Sequence, residues 1–343
     1  MILDGKFPAS IAAAAQALQR GELLGLPTET VYGLAADADN EQAVAKIFET
    51  KGRPANHPLI VHVASAQEVR RFASAVSDFA QRLMDAFWPG PLTLILPRRP
   101  EVAAAAAGGQ NSVGMRCPSH PVAHAVLQAA QALGVYGVAA PSANLFGRVS
   151  PTTAAHVKSE FGDDLLIIDG GACEVGIEST IVDCTRGVPV LLRPGVLTPE
   201  QLSEACGVAV ITPQVPDADA PRASGTLESH YAPKAQVRLM TAVDLQKVID
   251  AYANEKAALS VPAAHATVAV WSRSPIQVPP TLVTQLKRVL MPENATDCAH
   301  QLFAQLRSFD AQGVTHIWVE APPLTPDWDG VRDRLTRAAS PTR

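Results

Sequence analysis

The sequence predicts an α/β protein, a mixed sheet flanked by helices, followed by a smaller α/β unit. Three observations predict it. Helical and strand-like segments alternate along the chain. The spacing from strand to helix is irregular, which implies a mixed sheet rather than a uniform βαβ repeat. Near residue 208 the composition shifts to a stretch rich in Pro, Ala, Ser and Asp, and a second α/β pattern begins after it.

The elements follow in chain order. "IAAAAQALQRG" reads as an amphipathic helix closed by Gly21, and "GELLGLPTETVYGLAAD" as a strand and then a turn region. "NEQAVAKIFETKG" is a short helix with Asn40 as N-cap and Gly52 just past its end. "PLIVHVA" is a strand. "SDFAQRLMDAFW" is a helix stopped by Pro89-Gly90-Pro91, and "LTLILP" is a strand. "EVAAAAAGGQ" is a low-complexity loop. "SHPVAHAVLQAAQALG" is a helix, "VYGVAAPSAN" a strand breaking into a turn, and "SPTTAAHVKSEFG" a helix with a Ser-Pro start. "DLLIIDGG", "STIVDCT" and "PVLLRPG" are strands. Beyond the shift in composition, three β-α units make a small second domain. The expected division is 1–208 for the first domain, 209–235 for a linker and 236–343 for the second.

The chain has 343 residues, enough for two domains, and is 47% hydrophobic and 18% charged, as suits a globular protein. A net charge of −5 argues against a protein that coats nucleic acid, while leaving room for a local basic cleft. The five cysteines are odd in number and form no CxxC, which fits free thiols in a reducing cytoplasm. No apolar run is long enough to span a membrane. P-loop, dinucleotide-binding, GxSxG and HExxH motifs are all absent. His120 and His124 stand four apart at a helix start, with no third ligand near, and read as a capping or surface pair. His265, His300 and His316 read as structural or surface residues.

What remains is a recurring pattern. Lys51 and Arg53 come at a helix end before a turn held by Pro54 and Pro58, and His62 is set into the strand that follows. Alone, the two cations suit the helix dipole. "PTETVYGLA" concentrates hydroxyls and a carboxylate after a strand. "NSVGMRCPSHP" places Ser112 and Arg116 four residues apart. "PSANLFGRVSP" places Ser142, Asn144 and Ser150 in a loop. "GIESTIVDCT" and "LLRPG" add Ser179, Thr180 and Arg193. Cations and small donors thus recur at strand ends, where open α/β sheets build their sites. Arg and Lys supply charge-assisted bonds to phosphate, and Ser, Thr and Asn add neutral ones. Such a set suits a nucleotide site without a P-loop.

Taken in order with "WPGPLTLIL" and "HYAPK", these motifs resemble the YrdC-like threonylcarbamoyl-AMP synthases in their long form. The resemblance runs through roughly residues 10–235 and continues more weakly to the end. It implies a twisted open mixed sheet with a concave, positively lined cleft, then a smaller Rossmann-like C-terminal domain. It implies a nucleotidyltransferase reaction in which L-threonine, bicarbonate and ATP give threonylcarbamoyl-AMP and pyrophosphate. That product serves the modification of adenosine 37 in tRNAs reading ANN codons, passing to the tRNA threonylcarbamoyl transferase machinery. Direct tRNA contact would be weak. Mg²⁺ is expected with ATP, held by phosphates and water. Carried over by position, Thr30, His62, Arg116, Ala140 and Ser179 would surround threonine. Arg53, His57, Ser112, Ser142, Asn144, Ser150, Arg193 and Tyr231 would surround ATP, and Lys51 and Arg53 would be the catalytic cations, dispensable for folding. His57 stands where the family has Asn, and "ASGTLESHYAP" departs from its commoner linker. The distant Tyr231 suggests that the linker folds over the cleft as a lid. A non-catalytic nucleotide- or RNA-binding module of the same fold is the alternative. A carbamoyl-phosphate-using maturation enzyme would bring zinc-finger and acylphosphatase modules, and neither is seen.

Overall fold

The computed structural model describes residues 1–213, 220–225, 231–259 and 268–340. His230 and His265 lie outside them. The chain divides into two compact units: Met1–Phe146 with Ser150–Thr226, and Gly147–Val149 with Leu227–Arg343. The division falls inside the 209–235 stretch that the composition marks as a linker.

The first unit runs β1 (Ile2–Asp4), α1 (Pro8–Gln19), β2 (Leu24–Leu26), β3 (Gly33–Asp37), α2 (Glu41–Lys51), β4 (Ile60–His62), α3 (Val69–Phe72), α4 (Asp78–Phe87), β5 (Leu92–Pro97), β6 (Ser112–Arg116), α5 (Pro121–Ala132), β7 (Val138–Ala139), α6 (Ala154–Phe161), β8 (Leu166–Asp169), β9 (Thr180–Asp183), β10 (Val190–Arg193) and α7 (Pro199–Cys206). Its ten strands form one sheet in the order β1-β8-β2-β3-β7-β4-β6-β5-β9-β10. Parallel pairs such as β4–β6 and β5–β9 alternate with antiparallel ones such as β2–β3 and β5–β6, so the sheet is mixed. Successive residues of β3 serve opposite faces: Leu34 and Ala36 join one buried cluster, Ala35 the other.

Local chemistry sets the elements that matter for the site. Asn40 caps α2 by accepting the Ala43 N–H at 3.0 Å. Gly52, at φ +61°, ends α2 in the left-handed conformation and turns the chain so that Lys51 and Arg53 flank the bend. The carbonyls of the last α2 turn favour a cation there. Gly195 answers a packing need: a Cβ on it would lie 2.5 Å from the Thr180 backbone nitrogen. The chain after β10 therefore comes close to the start of β9.

Several expectations are corrected. The 21–37 segment forms two antiparallel strands, β2 and β3, joined by residues 27–32. The helix expected from Ser150 starts at Ala154 and is capped by Thr153, because the Ser150 hydroxyl is turned to Glu178 and the Pro151 carbonyl is used by the Tyr32 N–H. His120 caps α5 through Nδ1, accepting from Val122, which is the capping reading of the His120–His124 pair. Among the described residues no cluster of His, Cys, Asp or Glu could hold a metal.

The second unit runs β11 (Gln236–Met240), α8 (Ala242–Leu259), β12 (Val268–Ser272), β13 (Leu286–Leu290), α9 (Ala295–Ala311), β14 (His316–Glu320) and α10 (Asp329–Ala339). Its sheet is parallel throughout, in the order β11-β14-β12-β13. The sequence pattern implies three strands; β13 is a fourth, an edge strand whose exposed Lys287 and Arg288 hide it from apolar patterning. At the C-terminal end of this sheet Glu320 accepts from the Arg273 and Ser274 backbone N–H groups, at 2.8 and 2.7 Å. No described helix is long and apolar enough to cross a membrane.

Candidate active site

The residues expected around threonine converge on one cleft of the first unit, with roughly 380 Å³ of space open to solvent. Thr30, His62, Arg116, Ala140 and Ser179 all line it, with Glu178, Arg193 and Ser224. The sheet brings them together. His62 ends β4 and Arg116 ends β6, and the two are register partners across that parallel pair. Thr30 lies in the β2–β3 turn, Ala140 follows β7, Ser179 precedes β9 and Arg193 ends β10.

Arg116 is buried and held on several sides. Nε donates to the Gly90 carbonyl at 3.2 Å and Nη1 to the Thr30 hydroxyl at 2.7 Å. Nη2 lies 2.6 Å from Oε1 of the buried Glu29. Burial drives the Glu29 carboxyl upward, but the Arg116 guanidinium beside it, with the nearby backbone N–H groups, outweighs that and leaves it below its ordinary value. Burial, and then the Arg116 charge, push the His62 imidazole down to about 3, so its ring is neutral. His62 Nδ1 is buried without a hydrogen-bond partner. Glu29 was legible only as the carboxylate of "PTET"; its tie to a residue 87 positions on is a product of the sheet.

A second, shallow pocket, roughly 280 Å³ when space open to solvent is counted, shares Ile60 and Ser224 with the first and is lined also by Pro58, Thr93, Gln110, Ser112 and Arg222. Residues 220–225 strap this side. Arg222 N–H donates to Gln110 Oε1 at 2.7 Å, and the Ser224 hydroxyl to the Pro58 carbonyl at 2.8 Å. Two cations expected near ATP meet on Ser224: Arg53 Nη2 reaches its hydroxyl at 3.1 Å and Arg193 Nη1 its carbonyl at 2.8 Å. Arg193 also donates to the Ser179 carbonyl at 2.8 Å, and the Ser179 hydroxyl shares a 2.7 Å bond with Thr93.

Lys51 is placed differently from a free phosphate-binding cation. Its buried Nζ donates to the Ser142 carbonyl at 2.6 Å and to the Asn144 carbonyl. Burial and then Arg53 hold its ammonium well below the ordinary lysine range, with Glu160 and Glu178 opposing. The Lys51–Arg53 turn and the Ser142–Asn144 loop are thus one structure. Asn144 is buried and donates to the Leu145 carbonyl at 2.7 Å. Ser150 is fully buried against Glu178. His57 is half-buried, edge-on to Phe146 at 5.5 Å; burial and then Arg53 and Arg222 lower its imidazole.

Tyr231 belongs to the second unit. There it is buried, 5.3 Å from the Phe303 ring, with the Arg334 guanidinium 5.5 Å from its own ring. Its φ of +62° is costly for a bulky residue and marks a constrained position.

Comparison with known proteins agrees with this picture. Residues 16–195 match the Sua5/YciO/YrdC domain family described as Telomere recombination. Residues 197–340 match the Threonylcarbamoyl-AMP synthase C-terminal domain. A threonylcarbamoyl-AMP synthase of Pyrococcus abyssi is 44% identical over 230 residues, 66% of each chain. One of Bacillus subtilis is 36% identical over 96% of this chain and 92% of its own. The crystal structure of P. abyssi Sua5 complexed with L-threonine superposes with a TM-score of 0.84 at 35% identity, covering 96% of this chain and 94% of that one. The chain therefore belongs to the threonylcarbamoyl-AMP synthase family, in the form that carries the additional C-terminal domain.

Proposed function

We infer that this chain is a nucleotidyltransferase that makes L-threonylcarbamoyl-AMP and pyrophosphate from L-threonine, bicarbonate and ATP, for threonylcarbamoyladenosine formation in tRNA. The observation that carries the reading is two adjacent pockets with shared lining residues. One holds Thr30, His62, Arg116 and Ser179, the other opens beside Ser112, and they share Ser224, on which Arg53 and Arg193 meet.

In the first step the threonine amine, freed of its extra proton, takes up bicarbonate to give the carbamate and water. A carbamate oxygen then attacks the α-phosphorus, and the bond to pyrophosphate breaks. Nucleophile and electrophile are both anionic, so the protein's work is alignment and charge neutralisation. Arg116 is assigned to the threonine carboxylate, which suits its planar fork. Neutral His62 is assigned to the amine or hydroxyl, as an acceptor that a cationic ring could not be. Arg53 and Arg193 are assigned to the phosphates, with Ser112, Ser142, Asn144, Ser150 and His57 as further ATP contacts. Lys51 is assigned to bracing the Ser142–Asn144 loop from beneath.

Mg²⁺ would arrive on ATP: the pocket linings contain a single carboxylate, Glu178, which suits an ion held by phosphates and water. The 220–225 strap is assigned as a lid over bound substrates. Five free, buried thiols support a cytoplasmic location. The product would pass to the tRNA threonylcarbamoyl transferase machinery. Labelled bicarbonate tests the reaction: its carbon must appear in a new adenylate that forms only with threonine present.

A further inference from the structure

Glu29 has no place in the substrate contacts above, and it does not line the cleft. It sits behind Arg116, 3% exposed, with Oε1 2.6 Å from Nη2. Its own peptide is pinned by the Val175 N–H, which donates to the Glu29 carbonyl at 2.7 Å. We propose that Glu29 is a positioning residue that aims the Arg116 fork into the cleft and so makes the site select substrates bearing a carboxylate. The proposal rests on the reading of Arg116 as the carboxylate-binding cation.

The argument is one of donors and competitors. A guanidinium has five N–H groups. The Gly90 carbonyl and the Thr30 hydroxyl take one N–H each, while Glu29 lies against Nη2 as an ion pair without hydrogen-bond geometry, so N–H groups remain on both terminal nitrogens for a bidentate partner. Only Glu29 among these three holders carries charge, so it fixes the side from which the fork is presented. It also offsets the cost of burying the cation before substrate arrives. A second carboxylate, Glu178, lines the same cleft. An Arg116 released from Glu29 has Glu178 as its alternative anion, and a fork turned to Glu178 is lost to the substrate.

The test compares L-threonine with L-threoninamide, which keeps amine and hydroxyl but lacks the carboxylate, in the pyrophosphate-release assay with the full chain. Glu29→Gln is expected to cut the threonine-to-threoninamide ratio of kcat/KM by about tenfold or more, with the loss in threonine KM and the KM for ATP unchanged. Glu29→Asp, which keeps the charge at shorter reach, is expected to fall between wild type and Glu29→Gln, and carries the test if the amide variant does not fold. A ratio equal to or above that of wild type in these variants, or equal losses on both substrates, would overturn the proposal. Arg116→Met separates the two readings. If it too leaves the ratio intact, the assignment of Arg116 itself fails. If it abolishes the ratio while the Glu29 variants do not, only the role of Glu29 fails.

Discussion

His62 and Arg116 are register partners on adjacent parallel strands, a neutral imidazole held beside a buried guanidinium. The unfolded ring titrates near 6.5 and the folded one near 3. Between those values the unfolded state binds a proton that the native state refuses, so stability is greatest above pH 6.5 and falls as pH drops. The slope from this one group is about 1.4 kcal/mol per pH unit. His62→Gln is therefore expected to flatten the decline of Tm between pH 6.5 and 4, and to raise the KM for threonine. A wild-type slope in the variant would remove His62 as the cause.

Lys51 joins two signatures that are far apart in sequence, bonding to the Ser142 and Asn144 carbonyls. Lys51→Ala takes a charged donor from both carbonyls in a buried place, where the Ser142 carbonyl keeps the Asn144 N–H at 3.0 Å. The expectation from sequence, loss of activity with folding intact, is replaced by loss of activity together with lowered stability. A charged hydrogen bond contributes about 1.5–3 kcal/mol, so thermal unfolding should shift down by several degrees while turnover collapses. An unchanged Tm would return Lys51 to the role of a free cation.

The sheet order shows why some of this was legible and some was not. Thr30, His62, Arg116, Ala140 and Ser179 were expected together through the family resemblance, and they converge because each lies at or beside a strand end, where strands of an open sheet meet. Their partners were not. Glu29 finds Arg116, and Ser150 finds Glu178, only through a strand order that no local pattern encodes. β13 was missed because its Lys287 and Arg288 break the apolar signal of a parallel strand. Gly52 and Asn40 were legible because caps are local chemistry.

The strap over the second pocket hangs on small contacts. Ser224→Ala removes the hydroxyl that bonds both the Pro58 carbonyl and Arg53. Fold and threonine KM should hold, while the KM for ATP rises about tenfold, as suits a lost bond to a charged group of about 1.5 kcal/mol. ATP with threonine should protect residues 220–225 from limited proteolysis in wild type and less so in the variant. Equal cleavage with and without substrates would show that this segment is not a lid.

Val31, Ile60 and Ala140 give the threonine cleft an apolar wall. One methyl group against such a wall is worth about 1–3 kcal/mol, so threonine should exceed serine in kcat/KM by roughly 10- to 100-fold. Equal rates would place the substrate methyl away from that wall.

The most direct measurement is pyrophosphate release from ATP, with threonine and bicarbonate each left out in turn. The account predicts release only when both are present, together with a new adenylate peak on chromatography. ATP bound with no release, or release indifferent to threonine and bicarbonate, would contradict it.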